Sequence, residues 1–433
     1  MKDNYALFWH RRDLRIEDNI GLYNALTSGK KVIPMFIFDK DILDKLPKND
    51  ARVNFIHDEL RNIHNTLTKL GSSILIKHGK PIEILKELIK SHNISAVYTN
   101  HDYEPYAIAR DNEVNEFLSS QNIEFKTYKD QVIFERDEIV KADGKPYTIY
   151  TPFSKKWLAN LNTDDYASID CVSHYENFAK LTFEFPSLKS IGFTASNIKV
   201  LPHTMTKTII DEYEETRNFP AIEGTSKLSP HLRFGTISVR ACVQEGLKSE
   251  NSTFLKELIW REFFMQILWH FPKSVTHNFK SKYDGIKWRN NENEFKAWCE
   301  GKTGYPIVDA GMRELNTSGY MHNRVRMVTA SFLCKHLLID WKWGEAYFAE
   351  KLLDFDLAQN VGNWQWVAGT GCDSAPYFRI FNPTSQVQKF DKAHEYIKKW
   401  VPDYQELTYP TPIVDHKHAR ERCLTTYKLG INN

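Results

Sequence analysis

Cysteine is scarce and scattered in this chain. Six occur, Cys171, Cys242, Cys299, Cys334, Cys372 and Cys423, with no C-x-x-C pair and no Cys/His spacing of the zinc-site kind. No disulfide framework and no metal site can be read from them; reduced, structural thiols are expected. Excess charge is lacking as well. The formal net charge is +2 over 433 residues, so any surface for a polyanion must be a local patch. No apolar run is long enough to span a bilayer. The start, M-K-D-N-Y-A-L-F-W-H-R-R-D, lacks the apolar stretch of a secretory signal. A cytoplasmic chain without membrane contact is expected. Nucleotide signatures are missing too. Gly369 and Gly371 are followed by Ser374 where a dinucleotide fingerprint needs its third glycine. Gly301-Lys302-Thr303 ends like a phosphate loop, but Lys296 stands at the earlier glycine, and no H-E-x-x-H occurs. No internal repeat or low-complexity tail is evident.

What is present is an ordinary globular composition, 42% hydrophobic and 26% charged, in a chain long enough for two or three domains. Short apolar runs at Tyr5–Trp9, Lys31–Phe38, Ser73–Lys77 and Ala96–Thr99 alternate with amphipathic stretches at Asn19–Thr27, Arg52–Leu70, Ile82–Ser91 and Ala107–Ser120. This alternation predicts a doubly wound α/β domain with a parallel sheet over 1–130. Its crevice should lie beyond the strand C-termini, where W-H-R-R-D-L-R follows the first strand. Residues 131–205 carry Pro146, Pro152, Pro186 and Pro202 with little periodicity and read as a connector. An all-α region is predicted over 206–433, clearest at Phe254–Phe271, Ile307–Ser318 and Asn323–Leu338. Nine of the eleven tryptophans follow residue 250, which places any aromatic chemistry there.

Four segments of that region carry chemistry. Asp354 to Trp366 read D-F-D-L-A-Q-N-V-G-N-W-Q-W. On a helix, Asp356, Asn360 and Trp364 form one stripe, better suited to a polar aromatic ligand than to plain packing. The bland alternative is a helix end with two packed indoles. From Phe254, F-L-K-E-L-I-W-R-E-F-F puts Phe254, Glu257, Trp260 and Arg261 on one face. That is either a pocket wall or an amphipathic helix with a Glu–Arg pair. From Gly319, G-Y-M-H-N-R-V-R-M places Asn323, Arg326 and Met327 together and Arg324 elsewhere. Asp354 is the natural acid for Arg326; a simple buried salt bridge is the alternative. From Glu223, E-G-T-S-K-L-S-P-H-L-R-F-G offers Thr225, Ser226 and Ser229 hydroxyls at a helix start, suited to a pyrophosphate or merely a cap.

Together with F-W-H-R-R-D-L-R-I-E-D-N, E-G-K-T-G-Y-P-I-V-D-A-G-M-R-E-L and A-P-Y-F-R-I-F-N-P, these motifs closely resemble the photolyase/cryptochrome flavoproteins along nearly the whole chain. The chain looks most like a bacterial class I cyclobutane pyrimidine dimer photolyase. The resemblance implies FAD, active in its reduced anionic form, held in the helical domain. Tyr213, Thr225, Ser226, Lys227, Leu228 and Ser229 would hold its phosphates and ribityl chain, with Phe254 and Phe355 beside it. Arg326 and Asp354 would pair next to the ring, Asp356 would bond its edge, and Asn360 would face N5. Plant-type cryptochromes carry an acid there and insect-type ones a cysteine, so the amide implies an enzyme. Trp364, Trp341 and Trp288 would pass electrons between flavin and surface. In UV-damaged DNA, Trp260 and Trp366 would sandwich a flipped dimer, with Glu257, Asn323 and Met327 lining the pocket. Arg217, Arg261, Arg324 and Gln386 would meet the strand.

Some positions depart from the family. Tyr320 and Phe254 replace tryptophans of an enterobacterial relative, and Tyr106-Ala107 replaces the Asn-Glu pair that holds folate. The segment Y-E-P-Y-A-I-A-R-D from Tyr103 therefore implies a deazaflavin or flavin antenna rather than folate, or none. Met321-His322-Asn323 lacks the histidine pair of (6-4) photolyases. The rival functions are thus a (6-4) photolyase, a blue-light signalling cryptochrome and a general flavin electron carrier. A monomer, associated with the nucleoid when on DNA, is expected.

Overall fold

The computed structural model describes residues 4–432. Among these, five strands make one parallel sheet: β1 (Tyr5–His10), β2 (Lys31–Asp39), β3 (Leu75–Gly79), β4 (Ile94–Asn100) and β5 (Glu124–Tyr128), in the order β3-β2-β1-β4-β5. Alternate residues of β1 and β2 feed two cores. Ala6, Phe8, Val32, Phe36 and Phe38 pack on one face, and Leu7, Trp9, Ile33, Met35 and Ile37 on the other. Both faces are thus covered, as continuous apolar strands require. The intervening helices are α1 (Ile20–Leu26), α2 (Ala51–Lys69), α3 (Pro81–Ser91) and α4 (Pro105–Ser120). The α/β class is as predicted. β3 runs two residues later than Ser73–Lys77. β5, E-F-K-T-Y, was not foreseen because it is a short edge strand with a largely polar surface.

Contacts divide the chain into two compact units that do not follow the linear division read from the sequence. The sheet unit runs to Glu135 and also contains Asn160–His203 and Lys227–Lys248. Packing explains the first addition. Phe178 bridges to Val32, the Ala179 amide donates to the Val32 carbonyl at 2.8 Å, and Phe178, Ile191 and Phe193 enter the core. Arg240 explains the second, reaching Asp18 at 2.8 Å and Asp130 at 2.9 Å.

The other unit comprises Arg136–Ala159, Thr204–Ser226 and the residues from Ser249 onward. It is helical. It holds α5 (Tyr150–Asn160, to Ala159), α6 (Thr253–His270), α7 (Pro306–Ser318), α8 (Asn323–Ser331), α9 (Trp341–Lys351), α10 (Leu357–Ala368) and α11 (Pro383–Phe390). The long helix predicted over Asn323–Leu338 ends at Ser331. A π-helical turn, Phe332–His336, follows, and Leu338 takes φ 51°, which a continuing helix cannot contain. No described helix is long and apolar enough to cross a membrane.

Candidate functional site

In the helical unit, α6 supplies one wall. Twelve of its eighteen residues are buried, and Glu257, Trp260 and Arg261 lie at its partly exposed edge. Phe254 is buried and meets Tyr213 edge-on at 5.7 Å. Glu257 pairs with Arg217, which also lies over the Tyr213 ring at 6.0 Å. Burial pushes the Glu257 carboxyl up, against the lowering effect of Arg217. Trp260 is stacked face to face on Tyr150, 3.7 Å between centroids and 5° between planes. Tyr150 is itself fixed, its hydroxyl donating to the Lys256 carbonyl at 2.9 Å and its amide to Asp373 at 3.1 Å.

The second wall is α8 with the segment before α10. His322 caps α8 by accepting from the Arg324 amide. Arg326 donates to Asp354 at 2.8 Å and to the Met321 carbonyl at 2.7 Å. Burial alone would lower the Arg326 pKa, but Asp354 more than offsets this and the guanidinium is held charged. The other Asp354 oxygen, Oδ1, is buried with no hydrogen-bond partner among the described residues. Asp356 is extended rather than helical and occupies the cap position of α10; its carbonyl accepts from the Asn360 amide at 2.8 Å. Asp356, Asn360 and Trp364 are all buried.

Asn360 gives both side-chain bonds to one residue. Its Nδ2 donates to the Glu345 carbonyl at 3.0 Å and to Glu345 Oε1 at 2.8 Å. The amide oxygen is therefore turned away from Glu345. Burial raises the Glu345 carboxyl. Trp364 packs edge-on against Phe348 at 4.9 Å and Trp298 at 6.2 Å. Trp341 is buried and donates from Nε1 to Asn278 at 2.9 Å. Trp288 is half-buried, edge-on to Tyr427 at 5.9 Å.

The remaining expected residues are more dispersed. Asn323 is exposed and Met327 half-buried on α8. Arg324 donates to Asn218 at 2.6 Å and stacks over Phe390 of α11 at 4.3 Å. Trp366 and Phe355 are partly buried against the core of this unit. The Arg261 carbonyl accepts from Gln359. Gln386 on α11 keeps Oε1 buried without a partner among the described residues, and so does Thr225 at Oγ1. Ser226 is buried and accepts from the Thr204 amide at 2.8 Å. Lys227 has φ 54°, Leu228 is buried, and Ser229 opens the helix Ser229–Phe234; these three belong to the sheet unit. Glu345 and Tyr150 were not foreseen. The one local signal for Glu345 is an acid within the aromatic run W-K-W-G-E-A-Y-F, and Tyr150 has none.

The orphaned oxygens of Thr225 and Asp354 are acceptors and donors of the kind a dinucleotide's phosphates, ribityl hydroxyls and ring edge satisfy. With the paired Arg326 and the oriented Asn360 amide, these side chains fit FAD.

The sheet unit has a polar side-chain cluster of its own just past the C-terminus of β1. Arg11 and Arg110 both lie over the Trp9 ring, at 5.2 and 5.0 Å, and Asp111 pairs with both. Tyr106 donates to Asp39 at 2.6 Å.

The sequence comparisons agree with this geometry. Residues 6–170 match the family described as DNA photolyase, and residues 254–408 that described as FAD binding domain of DNA photolyase. A deoxyribodipyrimidine photo-lyase of Agrobacterium fabrum is 36% identical, covering 99% of this chain and 98% of its own. A class III photolyase structure from Agrobacterium tumefaciens superposes with a TM-score of 0.90 at 35% identity, over 100% of this chain and 99% of its own. An archaeal photolyase from Sulfolobus tokodaii, solved with two FAD molecules, gives a TM-score of 0.83 at 33% identity, over 98% and 100%. This chain belongs to the photolyase/cryptochrome family.

Proposed function

We propose that the chain is a deoxyribodipyrimidine photolyase, which uses light to split cyclobutane pyrimidine dimers in UV-damaged DNA. The observation that carries this reading is the Asn360 amide. Glu345 holds its nitrogen through two hydrogen bonds, which would leave the amide oxygen to accept from the N–H of a reduced flavin. Tyr213, Thr225, Ser226, Phe254, Arg326, Asp354, Phe355, Asp356 and Asn360 would hold FAD, with Lys227, Leu228 and Ser229 following in the chain. Reduced FAD, when bound, supplies a photoexcited electron and recovers it once two C–C bonds have parted, so no net redox change results.

The protein's part is geometry and electrostatics. Enzymes that act on a base take it out of the stack, photolyases among them. Trp260, backed by Tyr150, and Trp366 are aromatic surfaces for the extruded dimer. Base–aromatic stacking contributes roughly 1–3 kcal/mol per base. Glu257 can meet a pyrimidine carbonyl or imide, and Asn323 and Met327 line the approach. Arg217, Arg261, Arg324 and Gln386 would hold the strand. Trp364, Trp341 and Trp288 run from buried to half-buried and are assigned to electron supply from the surface. For a second chromophore, the guanidiniums and phenol of the Trp9–Arg11–Tyr106–Arg110 cluster suit a flavin or deazaflavin better than folate. The protein is expected to act as a cytoplasmic monomer, at the nucleoid when bound to DNA. Blue light should restore thymine in dimer-bearing oligothymidine mixed with reduced holoenzyme, and the dark control should stay unchanged. Restoration of (6-4) lesions alone would instead assign that activity.

A further inference from the structure

The pair Arg217–Glu257 poses a question that the proposed function leaves open, because both residues are assigned to damaged DNA while each satisfies the other. The surroundings favour an exchange. Arg217 keeps Nε buried with no partner among the described residues, and so does Arg324. The two guanidiniums repel one another, with Arg379 adding to the effect. Burial first, then Arg217 and Arg379, lowers the Arg324 pKa. A cluster of this kind is poised for an anion with several oxygens, and a backbone phosphate is the anion that DNA brings. Glu257 is the acid that Arg217 would have to leave.

What then happens to Glu257 follows from its neighbours. The groups that face it are Arg217, Tyr150 and Tyr213; burial and then Glu257 itself push both phenols well above their ordinary range, so neither gives up a proton. The Glu257 side chain is 35% exposed, so a proton can reach it from solvent. Losing its cation, gaining a phosphate nearby and being covered by a docked base all disfavour the carboxylate.

Resting on the photolyase reading, we propose that damaged DNA makes Arg217 change partner from Glu257 to a backbone phosphate, and that Glu257 takes up one solvent proton in exchange. The neutral carboxyl then donates its O–H to a carbonyl of the flipped dimer. The carboxylate plus one proton gives the acid, and no other bond is made or broken. Glu257 thereby becomes a donor matched to pyrimidine carbonyls, and Arg217 the sensor of the strand.

Calorimetric titration of FAD-loaded protein in the dark, with oligothymidine carrying one cyclobutane dimer, tests this. Two buffers of different ionisation enthalpy report proton uptake. The expected result is a buffer-dependent heat equal to uptake of up to one proton per dimer bound. Affinity should weaken by up to about tenfold per pH unit between the pKa of Glu257 in the free protein and its higher value in the complex. Glu257→Gln should bind without uptake and with a flat pH profile. Equal heats in both buffers for the unsubstituted protein, or uptake that persists in Glu257→Gln, overturns the proposal. Light-dependent repair with no proton uptake sinks the exchange alone; no dimer binding and no repair sinks the photolyase reading with it.

Discussion

Glu345 holds Asn360 by two hydrogen bonds, one to its backbone carbonyl and one to its carboxyl oxygen. This relationship decides which end of the Asn360 amide is presented, and it constrains the carboxyl too. Burial raises the Glu345 pKa, so the folded state binds its proton more tightly than the unfolded chain does. Stability from this group is therefore lost as pH rises from about 4.5 through the folded value. Glu345→Gln keeps an acceptor for Nδ2 and removes that loss. It should melt higher than the unsubstituted protein at neutral pH, with the advantage shrinking towards pH 4.5. Glu345→Leu removes the carboxyl acceptor and leaves only the backbone carbonyl, so the amide is held less firmly and repair in the reduced state should slow. Melting curves across pH and single-turnover repair check both.

Arg326 and Asp354 should behave as a unit. Removing one partner of a buried pair leaves an uncompensated charge, at about 3–5 kcal/mol, whereas replacing both by apolar residues costs far less. Arg326→Leu is expected to lose FAD and stability. The double variant Arg326→Leu/Asp354→Leu should regain much of the stability while remaining poor in FAD. Urea unfolding with parallel flavin quantitation reads both, and additive losses would contradict the coupling.

Gly344 is where α9 meets Trp364. A Cβ there would sit 2.1 Å from Trp364 Cη2 and 2.6 Å from Leu333 Cδ2. Gly344→Ala should destabilise by about 1–3 kcal/mol, typical of overpacking. It should also shift Trp364, seen as slower photoreduction of oxidised FAD with repair by chemically reduced protein less affected.

Lys335 is fully buried, donates to the Tyr377 carbonyl at 2.9 Å and lies 4.3 Å from the Tyr427 ring centre. Burial lowers its pKa to about 8 from 10.5. The folded state therefore releases this proton before the unfolded chain does. The cost of the charged form is full below about 8 and falls away as pH rises towards 10.5. Relative to Lys335→Met, the unsubstituted protein should gain melting temperature across that window. A constant difference would show that Lys335 stays charged.

The parallel sheet was legible because β1 and β2 are continuous apolar runs, buried on both faces, that alternate with amphipathic helical stretches. β5 was not, since an edge strand needs little apolar surface. The return of Phe178 to Val32 was invisible for another reason: a proline-rich, aperiodic segment gives no local sign of distant pairing. In the site, Asp354, Arg326, Asn360 and Trp364 could be picked out because charge and amide fell on otherwise apolar faces. Glu345 and Tyr150 act through tertiary contacts 15 and 110 residues along the chain, to Asn360 and Trp260. Spacing on a single helix cannot reveal such partners. The helix starts at Leu357, which makes Asp356 an extended cap residue rather than part of the predicted helical stripe.

The measurement closest to the central claim is single-turnover repair. Reduced, FAD-loaded protein is mixed in the dark with oligothymidine carrying one cyclobutane dimer, flashed with blue light, and the products are separated. The account predicts one intact thymine pair restored per productive flash, none in the dark, and flavin left reduced at the end. Flavin that cycles under light while the dimer persists would contradict it.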